Sequence, residues 1–156
     1  MSIKKLGMLA LLMAAAFQPY AQDKLAYFKG SYQDALNEAF RTKKAIMLDF
    51  SAHWCGPCQK LARETFSDVD VAVLANNEYI IFPVDVANFD GMAIAEKYQV
   101  EEYPTVLFLD FKGRYVSRMK GFYPPNYFVR ALDKFSQKQG KKKISEDEDL
   151  SLLSSL

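Results

Sequence analysis

Two cysteines stand three positions apart in a chain of 156 residues, with Gly56 and Pro57 between them. A thiol pair this close can join as a disulfide and part again. The attacking species in such exchange is the thiolate, not the thiol. A purely structural bridge here would close almost no loop and would remove little entropy from the unfolded chain. A zinc centre needs further ligands, yet His53 is the only histidine and no second cysteine pair exists. No metal and no other cofactor is therefore expected, the redox-active group being the Cys55–Cys58 disulfide itself.

The elements around the pair determine which sulfur acts first. Ala45 to Ser51 is an almost wholly apolar run containing Asp49, and it predicts a strand buried on both faces. Cys55 then opens a helix that continues through Leu61, Ala62, Thr65 and Phe66. Pro57 suits its first turn, where a missing N–H does no harm. Unpaired N–H groups and the helix dipole at that end favour a negative Cys55 sulfur. Cys55 is thus the expected nucleophile. Cys58, one turn deeper, is expected to be more buried and to attack the mixed disulfide that Cys55 forms with a partner.

The remaining elements follow from periodicity and punctuation. Residues 24–29 predict a short first strand centred on Tyr27 and Phe28, broken by Gly30. Ser31 caps a helix whose inward face is Tyr32, Ala35, Leu36, Ala39 and Phe40. Residues 68–77 predict a helix capped by Asp68 or Asp70, although the alternation of Val69, Val71 and Val73 also suits a strand. Residues 79–86 form a strand that should lose pairing on one side at Pro83. A helix over 90–98 turns Ile94, Ala95 and Tyr98 inward. Residues 105–109 and 114–120 flank Asp110-Phe111-Lys112-Gly113 as an antiparallel hairpin. A last helix with Phe128, Leu132 and Phe135 on one face ends at Gly140.

Asp49, the run Trp54-Cys55-Gly56-Pro57-Cys58 and the segment Tyr103-Pro104-Thr105 together resemble the thioredoxin family. The resemblance covers roughly Tyr27 to Gln139. It implies an α/β protein with the thioredoxin fold, a mixed central β-sheet flanked by α-helices. The helix after Ser31 and the segment Glu64-Thr65-Phe66-Ser67-Asp68 are most similar to exported thioredoxin-like proteins and to the soluble C-terminal domain of the transmembrane thiol:disulfide interchange protein.

The resemblance also implies roles. Cys55, Cys58 and Asp49 would be catalytic, Asp49 lying buried beneath the pair and taking the Cys58 proton. Pro104 would be a cis proline held against the cysteines, with Tyr103 pairing to an extended substrate segment. Trp54 would cover one side of the site, and Gly121 would keep the substrate groove open. His53 matches a variable, exposed position. The family's lysine near the buried carboxylate aligns with Ile81, so Asp49 is expected to lack a cationic neighbour.

Residues 1–21 have the pattern of a signal peptide: Lys4 and Lys5, an apolar stretch from Leu6 to Phe17, and a small residue, Ala21, before Gln22. The apolar stretch is shorter than the ~20 residues a spanning helix needs, the alternative being an uncleaved anchor. Residues 22–140 are expected to be one domain and 141–156 a flexible charged tail. This places the protein in the periplasm or among secreted proteins. The net charge of +1 offers no basic footprint for nucleic acid.

A thiol-disulfide oxidoreductase that reduces protein disulfides in the cell envelope is the expected function. Gly-Pro between the cysteines resembles the reducing members, and thioredoxin at about −270 mV lies about 7 kcal/mol from the strong periplasmic oxidant at about −120 mV. Expected partners are exported proteins with disulfides and a membrane thiol:disulfide electron donor, the protein itself acting as a monomer. The rival expectations are a dithiol oxidase or isomerase, and a non-catalytic peptide-binding or chaperone module.

Overall fold

The structure is a computed structural model in which residues 24–137 are described. The expected signal segment, the charged tail and Gly140 lie outside the described residues.

β1 (Ala45–Ser51) is the centre of a four-stranded sheet. It pairs in parallel with β2 (Tyr79–Asp85) and antiparallel with β3 (Thr105–Leu109), and β4 (Tyr115–Lys120) completes the order β2-β1-β3-β4. Six of the seven β1 residues are buried, as its apolar composition requires. Side chains alternate between sheet faces. Ile46, Leu48 and Phe50 join one core with Ala35 and Ala39 of α1 (Tyr32–Thr42) and Ala95 of α4 (Phe89–Lys97). Met47 joins the other core with Leu61 of α2 (Gly56–Glu64), Val71 and Ala75 of α3 (Val69–Glu78), and Phe128 and Leu132 of α5, which covers residues 125–137. Asp49 is two residues on from Met47, so it projects to the same face, the one that α2 covers.

Local signals decide most element boundaries. Ser31 accepts from the Asp34 N–H while Asp34 reaches back to the Ser31 N–H, a reciprocal cap for α1. Asp68 accepts from the N–H groups of Asp70 and Val71, which resolves the ambiguous valine run as helix α3. Val71 then faces the core, while Val69 and Val73 face outward. In the β3–β4 hairpin, Asp110 is buried and takes N–H groups from Lys112 and Arg114 and the Arg114 guanidinium at 2.6 Å.

Two expectations are corrected. Residues 24–29 form no strand; Tyr27 makes one isolated parallel bridge to Ile81, and the Phe28 N–H donates to the Ile81 carbonyl. The reason lies in Pro83. Ile81 turns its backbone groups to the outer edge of β2, and so does Pro83 two residues later, where no N–H exists to extend a ladder. The predicted one-sided loss of pairing is thus what leaves β2 an edge strand beyond this bridge. Phe40 is the second correction. It is 56% exposed, because it packs on Phe111 at the hairpin tip, under the Lys43 ammonium, and away from the core.

Candidate active site

β1 delivers the chain into a turn closed by the Cys55 N–H donating to the Ala52 carbonyl, and α2 starts immediately after it. Cys55 is the N-cap of α2, its sulfur accepting the Cys58 N–H at 3.2 Å, and Pro57 lies in the first turn. The two sulfurs are bonded to each other at 2.00 Å. That N–H and the N-terminal end of the helix dipole face the Cys55 sulfur, a setting that favours negative charge there. The two residues are equally covered, 5% and 6% exposed, so the expectation that Cys58 is the more buried is not met. Their surroundings differ instead. Cys58 lines an open cleft of about 340 Å³ together with Asp49, Tyr27 and Pro83. Cys55 is not part of that lining.

Asp49 is 6% exposed, and among the described residues no cation stands beside it. Burial pushes its carboxyl from 3.8 up to about 6, while a hydrogen bond from Tyr27 pulls the other way. Tyr27 Oη donates to Asp49 Oδ2 at 2.8 Å. Burial first, and then the Asp49 charge and hydrogen bond, hold the Tyr27 phenol far above the usual range, so it stays a donor. The residue facing Asp49 across the strands is Pro83, whereas Ile81 lies opposite Met47. The sequence alignment of Ile81 with the lysine position is therefore off by one turn of the pleat; the neighbouring side chain is apolar in either register. Tyr27 was missed from sequence as a site residue. Only its partner, 22 residues further along the chain, could identify it, and nothing in the local pattern of residues 24–29 signals one.

The other face of the pair is built by the loop before β3. Thr105 pairs with Phe50, and this register carries Tyr103 and Pro104 to the end of β1 from which the cysteine turn departs. The Tyr103–Pro104 bond is cis. Trp54 is 61% exposed and meets Tyr103 edge-on, ring centroids 6.3 Å apart. Gly121 donates its N–H to the Pro104 carbonyl at 2.7 Å, with φ at +82°. An added Cβ at Gly121 would meet nothing within 4 Å, so the space in front of it is open. His53 is exposed at the mouth of the Asp49 cleft, its carbonyl accepting from the Gln59 amide. The structure thus divides the predicted residues into two sets: Asp49 with Cys58 on one side, and Trp54, Tyr103, Pro104 and Gly121 on the other. Among the described residues, no group of three or more His, Cys, Asp or Glu side chains could hold a metal ion.

A chain carrying this geometry has close counterparts. The profile of the thioredoxin-like domain matches residues 32–136. The thiol:disulfide interchange protein DsbD of Salmonella typhi is 37% identical over 84 residues, 52% of this chain but 15% of that protein. The chain therefore spans about a sixth of the length of the curated relatives it matches. A thioredoxin from Thermus thermophilus superposes with a TM-score of 0.68 at 28% identity, covering 75% of this chain and 91% of that one. A putative disulphide-isomerase from Bacteroides thetaiotaomicron gives 0.64 at 29% identity, covering 72% and 93%. With its Cys55–Cys58 pair at a helix N-terminus and its mixed sheet, the chain belongs to the thioredoxin-like family of thiol-disulfide oxidoreductases.

Proposed function

We propose that the protein reduces disulfides in exported proteins. The observation that carries this reading is the unequal setting of two equally covered sulfurs: one caps a helix, the other shares a cleft with a buried carboxylate. In the forward cycle the reduced Cys55 thiolate attacks one sulfur of a partner's disulfide, forms a mixed disulfide and releases the first partner thiolate. Cys58 then passes its proton to Asp49, and its thiolate attacks Cys55 Sγ. The second partner thiolate leaves, and the Cys55–Cys58 bond forms. Two electrons pass from the dithiol to the partner. A carboxyl near 6 is ionised at neutral pH yet basic enough to take that proton. Trp54, Tyr103, Pro104 and Gly121 border the groove on the Cys55 side, where an extended partner segment would lie.

Regenerating the dithiol requires an electron donor. The likeness to part of DsbD supports a membrane thiol:disulfide carrier in that role and an envelope location for the domain. The Gly-Pro dipeptide supports the reducing direction over an oxidase or isomerase. Insulin reduction by the dithiol-charged protein tests the activity, and a potential above about −180 mV would refute the direction. A Cys58→Ser variant should hold partners as mixed disulfides on Cys55. Equal trapping by Cys55→Ser would overturn the assigned roles, and full activity in the double variant would overturn the enzymatic reading.

A further inference from the structure

Tyr27 lies upstream of the residues that match the thioredoxin-like profile, on an arm that precedes α1. The arm is tied at three places. Asn76 of α3 brackets it, accepting from the Ala26 N–H and donating to the Lys24 carbonyl. The Phe28 N–H donates to Ile81 on the edge of β2. Between these ties, the Tyr27 ring crosses the mouth of the Asp49 cleft, 37% exposed, with its hydroxyl on Asp49 Oδ2. Pro83 pairs with Asp49 inside β2 but offers no N–H to the outer edge, so the arm's pairing with β2 stops at the Tyr27–Ile81 bridge.

We propose that Tyr27 is a positioning residue for the exchange, holding the Asp49 carboxylate through one O–H bond so that it can accept the Cys58 proton. Among the described residues, Tyr27 is the one side-chain hydrogen-bond donor to that carboxylate. β2 presents Pro83, β3 presents Val106, and the segment after α2 presents Phe66, none of which ionises. Cys58 faces the cleft from α2, and His53 stands at its mouth. When Asp49 takes the proton, its charge disappears and the phenol bond weakens; when the proton leaves, the bond strengthens again. The bond therefore favours the ionised, proton-accepting form, against the burial that opposes it. This inference rests on the disulfide-exchange reading and adds to it a residue outside the shared domain.

The test uses the full chain and a Tyr27→Phe variant, which keeps the ring and removes the hydroxyl. In the oxidised protein, the Asp49 carboxyl is titrated by carbon NMR. A hydrogen bond to a carboxylate accounts for roughly one pH unit, so the midpoint should rise by about that much. In the reduced protein, an aromatic disulfide that releases a coloured thiolate charges Cys55, and the second release reports the attack by Cys58. That rate should fall about fivefold at pH 6 and be unchanged at pH 8.5, as the ionised fraction dictates. In an Asp49→Asn background, Tyr27→Phe should change nothing further. An unmoved midpoint, a loss of equal size at every pH, or an additional loss in the Asp49→Asn background would each overturn the proposal. If wild-type protein never releases the second thiolate, the exchange reading itself fails, an outcome distinct from a failure confined to the Tyr27→Phe comparison.

Discussion

Replacing Asp49 by Asn should make the protein more stable and less active, with a pH signature that identifies the cause. The folded protein holds the Asp49 proton up to about pH 6, whereas the ordinary carboxyl releases it near 3.8. Between those values folding takes up a proton, so stability falls as pH rises. Above about pH 6 the loss is complete and amounts to about 3 kcal/mol. Asn has nearly the same shape, can still accept from Tyr27, and carries no charge to desolvate. The advantage of Asp49→Asn over wild type should therefore be about 0.5 kcal/mol at pH 4 and about 3 kcal/mol at pH 7.5. The measurement is urea unfolding of both oxidised proteins across that range, where a constant m-value licenses the comparison. The growth between the two pH values is the quantity to trust, since any packing difference between Asp and Asn is common to both. The same variant should lose most of the second-thiolate release at neutral pH, because Cys58 no longer has its acceptor. A stability difference that stays flat with pH would show that burial does not raise this carboxyl, and the mechanism would lose its base.

Other perturbations probe the frame around the site. Gly91→Ala places a Cβ 1.9 Å from the Asp85 carbonyl oxygen, so α4 must move off the end of β2; a loss of about 2 kcal/mol or more in denaturant unfolding is expected. Asp110→Ala removes the acceptor that Asp110 gives to the Lys112 and Arg114 N–H groups in the β3–β4 turn, for roughly 1–3 kcal/mol, with faster amide exchange at both residues. Trp54→Ala removes an exposed edge-on partner of Tyr103, worth about 1 kcal/mol in contact; a several-fold rise in KM for a disulfide peptide, with unchanged melting temperature, is the expected result. Ser31→Ala breaks the cap of α1 and should cost about 1 kcal/mol by thermal unfolding without altering turnover.

The spacing of Cys55 and Cys58, the proline in the first turn after them and the apolar run before them were legible from the chain, because each expresses a local rule. A strand buried on both faces needs continuous apolar residues, a helix needs its cap, and a disulfide across two residues needs a turn between them. The same locality made the caps at Ser31 and Asp68 readable, and the hairpin at Asp110 to Gly113. Pairing across the fold was a different matter. Whether Ile81 or Pro83 faces Asp49 depends on a parallel register that no local pattern encodes, and a shift of two residues is silent in alternation. The equal burial of the two cysteines and the bond from Gly121 to Pro104 depend on segments that only the fold brings together. Tyr27 shows the division most clearly. Its sequence context reads as an ordinary strand, and only the folded chain, bridging it to Ile81, brings its hydroxyl onto the carboxylate that the chemistry needs.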